Sequence, residues 1–144
     1  MSIWDHLRRI AKALTPGPPL SARDEAKRRT DELWDEKRRY DAVIRVATDS
    51  AIALAPDEMP HIRDRNMSAG IGLERCYCCY VFETDADLAF AKERQLTDWL
   101  DRETREQLAY NGCPKWIVDK FLVSFTTHED IVRVAGGDYR IYFT

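Results

Sequence analysis

A helical pattern that begins after Ser21 and continues until Pro56 constrains this chain more than any other feature. Ser21 is placed to cap it, because a serine oxygen accepts one of the first unpaired N–H groups, and Pro56 stops it by biasing the preceding residue away from the helix. Its charges are ordered. The run "DEAKRRTDELWDEKRRYD" sets Asp24 before Arg28, Glu25 before Arg29 and Asp35 before Arg39, each four apart with the acid N-terminal, and such pairs support a helix by about 0.2–0.5 kcal/mol each. Ala26, Thr30, Leu33, Lys37, Tyr40, Ile44, Ala47, Ala51 and Leu54 follow a 4-3 spacing whose second half is the better core candidate. A straight helix over 21–55 would be about 50 Å long, whereas a compact chain of this size has a radius of gyration of about 15 Å. A monomer cannot bury such a helix along its whole length. Either it breaks near Thr48, Asp49 and Ser50, or its first half projects and pairs with a second chain in a homodimer through residues 21–55; Leu33, Trp34 and Tyr40 are partner-contact candidates on it.

A chain of 144 residues suits one domain, and 44% hydrophobic with 33% charged residues places it outside the range of disordered chains. The net charge of −3 divides into +2 over residues 1–50 and −5 over the remainder. Neither part is the strongly basic face that nucleic acid requires, and the acids between the two KRR triplets neutralise them locally, so nucleic acid is disfavoured as a partner. No apolar run reaches the ~18 residues of a membrane span, and no continuous apolar signal core opens the chain, so a cytoplasmic location with free thiols is expected.

Ahead of the long helix, "SIWDHLRRIAKAL" sets Ile3, Leu7, Ile10 and Leu14 at helical spacing with Trp4 beside them and Arg8, Arg9 and Lys12 elsewhere. Residues 1–20 therefore read as an amphipathic helix ended by the Pro-rich "TPGPP". It is expected to dock on its own domain, with a partner surface or a membrane surface as the alternative, and Trp4 and Leu7 are its contact candidates.

Residues 56–73, "PDEMPHIRDRNMSAGIG" and the next position, lack a sustained period and read as a connecting loop. Within it His61 and Asp64 stand three apart beside two arginines, a grouping able to hold a phosphate or move a proton, and these are the catalytic candidates of a hydrolase or nucleotide-acting reading. A structural loop is the preferred reading. "SAGIG" lacks the full G-x-G-x-x-G spacing of a nucleotide site, and nothing in the chain calls for a cofactor.

"RCYCCYVF" over 75–82 places three of the four cysteines in four positions. Its β-branched and aromatic content predicts a strand, with Cys76, Cys78 and Tyr80 on one face. Cys76 and Cys78 are the metal candidates, but two residues apart in a strand lie about 6.6 Å from one another, while the sulfurs of a tetrahedral zinc site sit about 3.8 Å apart. Packing is the preferred role.

Helix is expected from Thr84 or Asp85 to Gly112, a short helix after Pro114, a strand at "FLVSFTT", a brief helix capped by Thr127 with Asp130, and a last strand at "DYRIYFT" in which Tyr142 is a contact candidate. The whole reads as an α+β domain in which an N-terminal amphipathic helix and a long helix precede, over 74–144, a small, mainly antiparallel sheet of about three strands covered by helices on one face. The expected function is non-enzymatic binding of another protein, in one form as an immunity or antitoxin-like inhibitor or a regulatory subunit. The alternatives are the His61/Asp64 enzyme and a nucleic-acid adaptor using the Arg-rich helix.

Overall fold

Strand β2 (Tyr77–Phe82) is the axis of the fold, since both of its neighbours pair to it. The computed structural model describes residues 2–14 and 21–144, with side chains described except at residues 10–14. Its elements run α1 (Ile3–Leu14), α2 (Ala22–Ala53), β1 (Ile62–Ser68), a 3-10 turn (Ile71–Leu73), β2, α3 (Asp85–Glu93), α4 (Leu96–Tyr110), α5 (Lys115–Lys120), β3 (Leu122–Thr127), α6 (His128–Ala135) and α7 (Tyr139–Tyr142). This is an α+β fold with a three-stranded mixed sheet. The chain divides into two units, Met1–Glu32 and Leu33–Thr144, with the boundary inside α2. The Pro-rich segment 15–20 lies outside the described residues.

In the first unit α1 is capped by Ser2, whose hydroxyl accepts the Asp5 N–H at 3.2 Å and donates to Asp5 Oδ2 at 3.0 Å. On the described part of its apolar face Ile3 and Trp4 are 75% and 70% exposed and Leu7 is also exposed. Ser21 caps α2 as its sequence implies, accepting the Asp24 N–H at 3.2 Å.

In the second unit α2 continues without the break foreseen near Thr48. The Thr48 hydroxyl donates back to the Ile44 carbonyl at 2.8 Å, which keeps the side chain satisfied inside the helix. Ile44, Ala47, Thr48 and Ala51 are buried, and polar links fasten the helix to β1. Asp41 accepts the Ala69 N–H at 2.7 Å with one oxygen and pairs with Lys37 at 2.7 Å through the other, Lys37 reaches Ser68 at 3.3 Å, and Asp49 pairs with Arg65 at 2.6 Å.

Strand β2 runs antiparallel to β1 and parallel to β3. On one sheet face Cys78 and Tyr80, next to Met67, Val123 and Phe125, meet Ile44 and Ala51 of α2, Leu100 and Leu108 of α4 and Ile117 of α5, while Phe82 packs with Ala91 and Leu96. The other face carries Tyr77, Cys79 and Val81, paired with Leu122, Ser124 and Thr126. Its Thr126 end meets the Tyr142 hydroxyl at 2.6 Å, whereas Leu122 and Ser124 are exposed.

Three expectations are corrected. The segment 62–68, read as loop, is β1: it has little intrinsic β-character, and the backbone of β2 recruits it as a charged, bulged edge strand. The C-terminal "YRIY", read as a strand, is the helical turn α7, because Asp138 caps it by accepting the Arg140 and Ile141 N–H groups at 2.9 and 3.1 Å, after Gly136 and Gly137 have turned the chain at positive φ. The helix read as continuous over 85–112 is two, separated at Gln95, whose φ of 59° is left-handed. Thr84 and Thr127 do cap α3 and α6, each accepting an N–H three residues on at 3.0 Å.

Candidate functional site

The residues foreseen as contact candidates lie on separate elements. Trp4 and Leu7 are on α1. Leu33 and Trp34 sit on α2 with 40% and 43% of their surfaces exposed. Tyr40 is half-buried against the core of the second unit, with the Arg39 guanidinium 5.3 Å from its ring centre. Tyr142 is half-buried too and is occupied by hydrogen bonds within its own unit. Of the candidates in the second unit, Leu33 and Trp34 therefore remain available. They form a two-residue apolar stretch flanked by the charged side chains of residues 35–39, with Asp35 and Arg38 paired at 2.8 Å; Val46, further along the helix, is exposed as well. The local sequence produces it directly, since "LWDEKRRYD" sets three apolar and aromatic residues among three acids and three bases.

His61 and Asp64 flank the start of β1. His61 is exposed and precedes β1, lining an open cavity of about 210 Å³ with Ile52, Ala55, Pro56, Met59, Pro60 and Ile62. Asp64 is exposed within β1 and accepts the N–H of Arg65 at 2.7 Å. Among the described residues no hydrogen bond links the two side chains.

All four cysteines are buried and unpaired. Burial is the first cause of raised thiol pKa in each: Cys78 is pushed up to about 12 and Cys76 to about 11, the latter helped by the nearby Cys113 and Asp41. Cys79 and Cys113 are raised in the same direction. The Cys76 thiol donates to the Ala69 carbonyl at 2.8 Å. Burial that raises the thiol pKa disfavours the thiolate that a nucleophilic cysteine needs. Among the described residues no group of three or more His, Cys, Asp or Glu side chains is placed to hold an ion.

A polar network that no single motif announces occupies the carboxyl ends of the parallel strands β2 and β3, where α3 and α6 begin. Thr127 donates to Asp85 at 2.5 Å, and Arg133 bridges Asp85 at 2.9 Å and Asp130 at 3.0 Å. The Tyr142 hydroxyl donates to Asp130 at 2.5 Å and accepts from Thr126 at 2.6 Å. The Thr127 hydrogen bond and then Arg133 lower the pKa of Asp85; the Tyr142 hydrogen bond and then Arg133 lower that of Asp130. Such strand ends are where open α/β sheets bind ligands, but here the carboxylates of both first turns fill the helix N-termini, and the groups satisfy one another. The network's chemistry is that of a clamp holding α7 to the sheet. Its trace in the sequence is the pair of similar turns "TDAD" and "THED", each directly after a strand.

No family model matches this chain, and neither a curated protein nor a solved structure matches it.

Proposed function

We propose that this protein works by binding another protein rather than by catalysis, and that Leu33 and Trp34 of α2 are the centre of its contact surface. The carrying observation is the exposure of these two large apolar residues, adjacent in the chain and followed directly by five charged ones, Asp35–Arg39. A tryptophan with an adjacent leucine offers the kind of large apolar anchor that dominates binding energies when a partner excludes water from it. The first partner on this reading is a second copy of the chain. Residues 33–41 carry three acids and three bases, so this stretch opposes its own copy without net repulsion although the chain as a whole is at −3.

The dimer leaves the rest of the second unit free. Residues 33–144 contain 15 basic and 20 acidic side chains, an excess of acid that favours a basic protein as the further target and suits an inhibitor or regulatory role. The Asp64 carboxylate is taken up by the Arg65 N–H, and burial keeps the Cys78 thiol from ionising, both of which support binding over catalysis. Sedimentation equilibrium tests the pairing. Twice the mass of a single chain is expected for the native protein, with a shift towards the monomer for Leu33→Asp combined with Trp34→Ala, both changes being at exposed positions.

A further inference from the structure

We propose that α1 is a docking element for an anionic lipid surface. Twelve residues give a helix about 18 Å long, far short of the ~30 Å hydrocarbon core, and no helix among the described residues is long and apolar enough to cross a membrane. It therefore lies along a surface rather than through it. Its polar requirements are met internally: Ser2 caps the first turn through Asp5. Its apolar ones are not, since Ile3 and Leu7 stand one turn apart and Trp4 stands beside them, all exposed. A helix this short is marginal in water without a surface to pack on, and Ile3, Trp4 and Leu7 offer an apolar face to one.

The charges choose among occupants. Residues 1–14 carry Arg8, Arg9 and Lys12 against the single acid Asp5, in a chain whose remainder is acidic. Arg8 follows Trp4 by one turn, which sets a cation at the border of the apolar face, the arrangement in which arginine stems lie along acyl chains while their heads reach lipid phosphates. A second copy is the poorer occupant, because two such helices would bring their cations together. The contrast with α2 is internal to the chain. There acids and bases interleave along the whole exposed stretch, as befits contact with protein, while in α1 the cations are nearly unopposed.

Co-sedimentation of the full chain with vesicles tests this. Phosphatidylglycerol–phosphatidylcholine vesicles should pellet the protein, phosphatidylcholine vesicles should not, and added salt should weaken the capture. Arg8→Gln combined with Arg9→Gln should reduce affinity about 30-fold, the equivalent of about 1 kcal/mol for each cation. Leu7→Glu should abolish binding while thermal unfolding monitored by circular dichroism stays unchanged, because the side chain is exposed. Three results would overturn the proposal: protein left in solution with anionic vesicles, as expected if α1 serves a protein partner; equal capture by neutral vesicles; or capture that neither set of substitutions alters.

Discussion

The hydroxyl of Tyr80, fully buried at the centre of β2, donates to Thr104 Oγ1 on α4 at 2.6 Å, and Thr104 in turn donates to the Leu100 carbonyl at 2.6 Å. The relay lets the largest fully buried side chain of the core keep a polar tip in an apolar setting, and it ties the sheet to the helix that covers it. Tyr80→Phe should cost about 1 kcal/mol, since Thr104 keeps its carbonyl partner, whereas Thr104→Val leaves the tyrosine hydroxyl stranded and should cost up to about 3 kcal/mol. The double variant should be more stable than the sum of the two predicts. Urea unfolding of the four proteins measures this, and strict additivity would show that the two side chains are not coupled.

Gly70 lies at φ +67°, and a Cβ there would sit 2.9 Å from the Arg75 carbonyl oxygen. Gly70→Ala therefore combines left-handed strain with a collision against backbone, and about 1–3 kcal/mol of stability should be lost. Gly72 has a similar φ of +74° but open space where its Cβ would be. Gly72→Ala should accordingly be the milder change, and equal melting temperatures for the two variants would contradict the packing of this turn.

The carboxylates of Asp85 and Asp130 titrate below their ordinary value of 3.8 in the folded chain. As pH falls the unfolded chain takes up these protons first, so the stabilisation is complete above 3.8, declines below it and is gone once the folded values are passed. Asp130→Asn should flatten this acid limb of the stability curve. An unchanged limb in that variant would mean that the clamp does not hold α7 in solution.

For the thiols the direction reverses. Their folded pKa values are raised from 9.0, to about 11 at Cys76 and about 12 at Cys78, so the unfolded chain ionises first and stability falls as pH rises above 9. At pH 8 iodoacetamide should label none of the four cysteines in the folded protein and all of them in urea. Rapid labelling of Cys76 or Cys78 in the native state would contradict their burial.

Legibility in the sequence followed the strength of local signals. Ser21, Thr84 and Thr127 were readable as caps because capping is decided by a few adjacent residues, and β2 was readable because "YCCYVF" is dense in strand-forming side chains. Strand β1 was hidden because "IRDRNMS" has no period of its own and exists only by pairing with β2. Helix α7 was misread because the alternation in "YRIYF" outweighed Asp138, whose capping role depends on the glycine turn before it. Of the candidate site, Leu33 follows from helical spacing and Trp34 from its place beside it among charged residues, but not that Tyr40 is partly spent on the core and Tyr142 on Asp130 and Thr126. Those assignments join residues 12 or more apart in the chain, which local patterns do not encode.

The claim that α2 is a protein contact is tested most directly by the mass of the purified chain in solution over a wide range of concentration. The account predicts a reversible species of twice the single-chain mass that dissociates on dilution and is lost when Leu33→Asp and Trp34→Ala are combined. A constant single-chain mass at every concentration, or a dimer indifferent to both substitutions, would contradict it.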